Sequence, residues 1–129
     1  MNATPIRAAL FAAAFTGITG SAVAGTIPAS CHAVLTPQDA REIALHLPNA
    51  RAYAEGQHAR LTTALAGRGA IDSVLVRVTA ATLGVEPLEI GVYSVNLRTG
   101  AVLDDDQEPA DDAAARLEEA RLLARRCHR

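Results

Sequence analysis

The sequence predicts an α+β domain: helices covering one face of a small three-stranded antiparallel sheet, with one disulfide closing the chain. Three observations carry this reading. Apolar residues recur at helical spacing in the stretches 36–65 and 109–127 and alternate at strand spacing between them, over 73–103. The two cysteines, Cys31 and Cys127, stand near opposite ends of the chain. The N-terminus carries the grammar of an export signal, and in an exported protein an even cysteine count reads as a disulfide.

The export segment comes first. Arg7 supplies a positive start, Ala8 to Ile18 form a short apolar run, and Ala22-Val23-Ala24 offers a small-x-small cleavage site. Residues 1–24 are therefore expected to be a signal peptide, and residues 25–129 one exported α+β domain, periplasmic or secreted. A spanning helix needs about 20 apolar residues. The run here is interrupted by Thr16, Gly17, Thr19, Gly20 and Ser21, so no stable membrane insertion is expected after cleavage. Ile27-Pro28-Ala29-Ser30-Cys31 matches a lipidation box only loosely, with Pro28 where Leu is usual. Cys31 is assigned to the disulfide instead.

The elements then follow in order. Thr26 to Leu35 reads as an extended lead-in. Thr36-Pro37-Gln38-Asp39 is a helix start, with Thr36 as the cap, Pro37 at the first helical position and Asp39 in the first turn. Ala40, Ile43, Ala44 and Leu47 continue it until Pro48 breaks the helix. A second helix is expected through Ala50, Tyr53, Ala54, Leu61, Ala64 and Leu65, stopping at Gly67-Arg68-Gly69. Ser73 to Thr82 alternates Val74, Val76 and Val78 against Leu75, Arg77 and Thr79, a strand with one face on a core. Leu88 to Leu97 is a second strand. Arg98-Thr99-Gly100 makes a tight turn, and Ala101 to Leu103 returns as a third. A closing helix is expected from about Pro109 to Cys127, with an inward stripe of Ala113, Leu117, Ala120, Leu123, Ala124 and Cys127. Its carboxylates crowd the start and its arginines the end, as the helix dipole favours.

Composition narrows the function. Without the export segment the only aromatic residues are Tyr53 and Tyr93, so the core rests on Leu, Ile, Val and Ala. Eleven basic residues then face fourteen acidic ones, a net charge of −3, which argues against nonspecific nucleic-acid binding. All the basic residues are Arg, read as compositional bias rather than as a phosphate-binding signature.

Candidate chemistry is sparse. The carboxylates Asp104, Asp105, Asp106, Glu108, Asp111 and Asp112 lack the turn glycine and the ligand alternation of a calcium loop, and read as a solvated helix start. Cys31-His32 and Cys127-His128 hold four potential zinc or copper ligands if the cysteines are reduced. If they are bridged, the histidines are only neighbours of a disulfide. His46 and His58 have no ligand spacing around them. There is no Gly-x-Ser-x-Gly elbow and no phosphate-cradling glycine loop, so no catalytic residue, metal site or cofactor is assigned.

Two stretches resemble a known family. The strand ending Asn96-Leu97-Arg98-Thr99-Gly100-Ala101-Val102 resembles the final hairpin of PepSY-type domains, and Thr36 to Leu45 resembles their opening helix. The resemblance covers roughly residues 36–103, leaving out the closing helix and the disulfide. It implies a helix packed on an antiparallel sheet and a non-enzymatic binding or inhibitory role, and transfers no site residue. The expected function is thus an exported binding or inhibitory module with a protein partner in the cell envelope. Its contact surface is expected at a sheet edge or at the hairpin carrying Tyr93, Arg98 and Thr99. The alternatives are an immunity protein that neutralises a periplasm-delivered toxin and a Cys/His metal carrier.

Overall fold

The computed structural model describes residues 31–127. The expected signal segment 1–24, residues 25–30, His128 and Arg129 lie outside the described residues. Helix α1 (Pro37–Leu45) starts as its sequence dictates. Thr36 Oγ1 accepts from the Asp39 N–H at 3.2 Å, and Asp39 Oδ2 accepts from the Thr36 N–H at 2.9 Å. This reciprocal capping box satisfies two N–H groups that the helix itself cannot. Pro48 ends the first helical run and opens α2 (Pro48–Gly56), where its missing N–H costs nothing.

The expected second helix ends early. Helix α2 stops at Gly56, His58 takes a left-handed φ of 50°, and Arg60–Arg68 is a strand, β1. Leu61, Ala64 and Leu65 fit a helical stripe, but Leu61, Thr63 and Leu65 fit a strand equally well. Cross-strand packing decides such cases: the three lie opposite Ala80, Val78 and Val76. The sheet therefore has four strands rather than three: β1, β2 (Ser73–Ala81), β3 (Leu88–Asn96) and β4 (Val102–Leu103). They form an antiparallel meander in the order β1-β2-β3-β4, with Val76 opposite Tyr93 and Val74 opposite Val95.

One core lies between the helices and the inner face of this sheet. Ile43, Ala44, Leu47 and Ala50 of the N-terminal helices meet Val76, Val78, Tyr93, Val95 and Val102. Helix α3 (Ala113–Cys127) closes it with Ala115, Leu122 and Leu123. The outer face carries Leu75, Val92 and Ser94 with an Arg77–Glu89 ion pair at 2.6 Å. Among the described residues, no helix is long and apolar enough to cross a membrane.

Helix α3 departs from expectation in its start and in its roll. Pro109 bridges to Leu103 beside the sheet, and the helix begins at Ala113, where Asp112 Oδ1 accepts from the Ala115 N–H at 3.0 Å. The inward residues are Ala115, Glu119, Leu122 and Leu123, while Ala113 faces solvent and Leu117 is 69 % exposed. Two anchors at the end of the helix set this roll. Cys127 bonds to Cys31, and Arg126 reaches Asp39 on α1 with Nε and Nη2, both at 2.8 Å.

The roll buries a carboxyl. Glu119 is 6 % exposed, its Oε1 has no hydrogen-bond partner among the described residues, and it packs under the Gly100 turn so closely that a Cβ there would stand 2.9 Å from its own Cβ. Burial, then the hydrogen bond and charge of Asp111, push its pKa up to about 8, with Arg116 opposing. The folded state thus holds a proton that the unfolded chain releases near 4.5. Between these values the folded protein binds more protons, so stability falls as pH rises from about 4.5 to about 8 and then levels. The Glu119→Gln variant donates to Asp111 as the protonated acid does. It is expected to abolish this fall and to be more stable than the parent at pH 8 by on the order of 2–4 kcal/mol. Urea titrations of both proteins across pH 5–9 check it; parallel pH profiles contradict it.

Candidate functional site

Two connections meet at one end of the sheet and frame a groove. The first is the β1–β2 turn. The Gly69 N–H donates to the Ser73 carbonyl at 3.1 Å and the Ser73 N–H to the Ala70 carbonyl at 2.9 Å, while Asp72 takes a left-handed φ of 62°. Aspartate tolerates that conformation better than most side chains. The second is the β3–β4 turn. Asn96 Oδ1 accepts from the Arg98 and Thr99 N–H groups at 2.8 and 3.0 Å, and Gly100, at φ 79°, donates to the Asn96 carbonyl. A side chain at position 100 would meet both this φ and Glu119.

Leu97 and Asp72 fasten the two turns together. The Leu97 N–H donates to the Asp72 carbonyl and the Leu35 N–H donates to the Leu97 carbonyl, each at 2.7 Å. Arg98 Nε donates to Asp72 Oδ2 at 2.9 Å. The result is a groove of about 520 Å³ lined by Pro37, Arg68, Ile71, Asp72, Val74 and Leu97. Ile71 projects from its rim, 89 % exposed. A β-branched apolar side chain at a turn tip gains nothing for the fold in that position.

The sequence-derived site residues are divided by this geometry. Arg98 and Thr99 are exposed on the β3–β4 turn but do not line the groove, Arg98 reaching its wall through Asp72, whereas Tyr93 is 3 % exposed and belongs to the core against Val76. The Tyr93 side chain therefore presents no contact surface. Cys31 and Cys127 are bonded to each other, with their Cα atoms 5.8 Å apart. Their sulfurs serve neither as thiolate ligands nor as a lipid attachment point, which removes the four-ligand metal set. Among the described residues, no group of three or more His, Cys, Asp or Glu side chains is placed to hold a metal ion. Asp104 organises its own loop, accepting from the Asp106 and Glu108 N–H groups through Oδ1.

Sequence reasoning missed Ile71 because it assigned the preceding stretch to a helix and left 70–72 as connector. An isoleucine between Gly69 and Asp72, both turn-forming residues, was the available signal. The two strongly shifted carboxyls, Asp39 and Glu119, are buried in the body of the protein and do not line the groove. No protein family, curated protein or solved structure matches this chain.

Proposed function

We propose that the chain is an exported, non-catalytic binding module of PepSY-like type, acting in the cell envelope by engaging a protein at the groove between the β1–β2 and β3–β4 turns. The observation that carries this reading is the placement of Ile71 and Arg98 on two fastened turns that flank one groove. An exposed apolar anchor beside an arginine, on a backbone already held in place, is the composition favoured at the energetic centre of protein interfaces. Pre-fastening also reduces the ordering cost that binding by loops ordinarily carries. The disulfide supports the export half of the reading, because such bonds persist in oxidising compartments.

The test is affinity capture from the organism's own envelope extract, using tagged protein beginning at Gly25 and a matched Ile71→Asp/Arg98→Ala variant. Both side chains lie outside the core, so the variant is expected to unfold within about 0.5 kcal/mol of the parent. The expected result is one stoichiometric protein retained by the parent and depleted at least about tenfold from the variant. Equal recovery by both baits would remove the groove from the interface.

A further inference from the structure

The meander leaves its two edges in different states. The β4 edge is short and is covered by the returning chain, through the Leu103–Pro109 bridge and the Ala110 N–H donating to the Val102 carbonyl. The other edge is the whole of β1, nine residues long and, among the described residues, paired with β2 alone. Arg41 of α1 reaches over it, with Nη2 donating to the Thr63 carbonyl at 2.9 Å and Nε to Thr63 Oγ1 at 3.0 Å. The Thr63 carbonyl therefore points away from β2, and by strand alternation so do the backbone groups of Leu61 and Leu65. Among the described residues, these three make no backbone hydrogen bond outside the strand pairing.

Charge selects the occupant of this edge. Arg60 and Arg68 stand exposed at the two ends of β1, ion-paired with no described carboxylate, and Arg41 stands at its middle. An antiparallel β1–β1 pairing of two copies would gather two Arg60, two Arg68 and two Arg41 side chains along one seam with no described carboxylate of β1 to offset them, so self-association is opposed. The register shift between Leu65 and Gly67 puts Arg60 opposite Ala81 on the outer face and Arg68 opposite Val74 on the helix-side face, so a strand carrying carboxylates meets Arg41 and Arg68 on the helix side and Arg60 on the other. The edge also runs directly into the groove, because Arg68 ends β1 and lines the groove wall.

We propose that the free edge of β1 receives an added strand from an extended, acidic segment of the partner protein, continuing the sheet and ending in the groove beside Ile71. This rests on the binding-module reading and specifies its partner. Main-chain bonds to Leu61, Thr63 and Leu65 supply the affinity, and the three arginines supply the selection. Arg41 holds the edge closed in the free protein through one side chain and passes from the Thr63 carbonyl to a carboxylate of the incoming strand. A free edge exposed to every extended chain is an aggregation hazard, and a cationic guard admits only strands that can exchange with it.

The test uses defined peptides and no natural partner. A capped synthetic peptide of alternating Glu and Val is titrated into isotopically labelled protein at low salt. Its controls are the alternating Lys–Val peptide and a Glu–Val peptide N-methylated on alternate amides. The expected result is binding of the Glu–Val peptide alone, with shifts and added exchange protection at the Leu61, Thr63 and Leu65 amides. Arg60→Glu/Arg68→Glu is expected to weaken it by about tenfold or more. The edge assignment is overturned if the Glu–Val peptide does not bind, if N-methylation leaves binding unchanged, or if the shifts fall elsewhere. Capture lost in the Ile71/Arg98 variant together with a silent peptide titration would overturn the edge and leave the module reading standing.

Discussion

Replacing Cys31 and Cys127 together by serine is expected to lower stability by roughly 4–5 kcal/mol, the largest effect of any substitution considered. The bridge spans 96 residues, nearly the entire described chain, so in the chain-entropy account it restricts the unfolded ensemble about as much as a single crosslink can. The core it reinforces is thin. Its largest fully buried side chains are Leu, Ile and Val, and Tyr93 is the one aromatic among the buried hydrophobics of the described residues. With total stability for such domains near about 5–15 kcal/mol, the bridge is a large share of the whole. Urea unfolding of the oxidised parent and the serine variant, followed by far-ultraviolet dichroism, measures the difference. A loss below about 1 kcal/mol would mean that the packing of α3 against α1 already closes the chain without covalent help.

The second large effect belongs to Asp39. This carboxylate is 1 % exposed, yet it is the hub of the contact between the first helix and the last. It accepts from Arg126 through both oxygens, from Arg125 at 3.3 Å and from the Thr36 N–H. Burial alone would push its pKa up. The hydrogen bonds and charge of Arg126 and the Thr36 bonds outweigh burial and bring it down to about 2. Asp39→Ala removes the Asp39 half of the capping box and the ion pair together, and is expected to cost about 3 kcal/mol. The figure stays at the lower end for a broken buried pair because the Arg126 and Arg125 side chains are 19 % and 40 % exposed and recover solvent. Asp39→Asn keeps an acceptor for the Thr36 N–H but loses the charge and sets an amide N–H against the Arg125 and Arg126 donors, at a cost of at least about 2 kcal/mol at pH 7.

The sign of the pH dependence follows from the direction of that shift. A depressed pKa contributes stability that is fully present above the unfolded value of 3.8 and is lost as pH falls toward about 2. Glu119 acts in the opposite sense, its stabilising proton being lost between about 4.5 and 8. Together the two buried carboxyls place the stability maximum near pH 4–5. Asp39→Asn flattens the acidic limb and Glu119→Gln the other, so thermal unfolding of the two variants across pH assigns each limb to its group. A parent whose stability peaks at pH 8 contradicts the Glu119 assignment, and an acidic limb unchanged in Asp39→Asn contradicts the other.

Local signals gave correct local structure. The Thr36-Pro37-x-Asp39 start, the break at Pro48 and the Asn96–Gly100 turn all rest on backbone chemistry within a few residues, and each stands where the sequence indicates. The disulfide was legible because export and an even cysteine count leave few other uses for the pair. Strand β1 was illegible for a physical reason. Leu61, Thr63, Ala64 and Leu65 satisfy both periods, and only the long-range pairing with β2 resolves them. The roll of α3 was hidden in the same way. Leu117 scores as apolar and Glu119 as polar, but distant tethers at Cys31 and Asp39 turn the first outward and the second inward. Of the candidate contact residues, Arg98 and Thr99 are exposed because turns lie on the surface by construction. Tyr93 lies inside because its strand parity matches Val95.

The most direct measurement places a photo-crosslinking amino acid at position 71, on the groove rim, and in a second protein at position 77, on the outer sheet face. Both are irradiated in envelope extract and the adducts identified by mass spectrometry. The account predicts one dominant protein adduct from position 71, mapped to an acidic extended segment of the partner, and none of that protein from position 77. The same adducts from both positions, or none from position 71, would contradict the claim that the groove between the two turns is where this chain meets its partner.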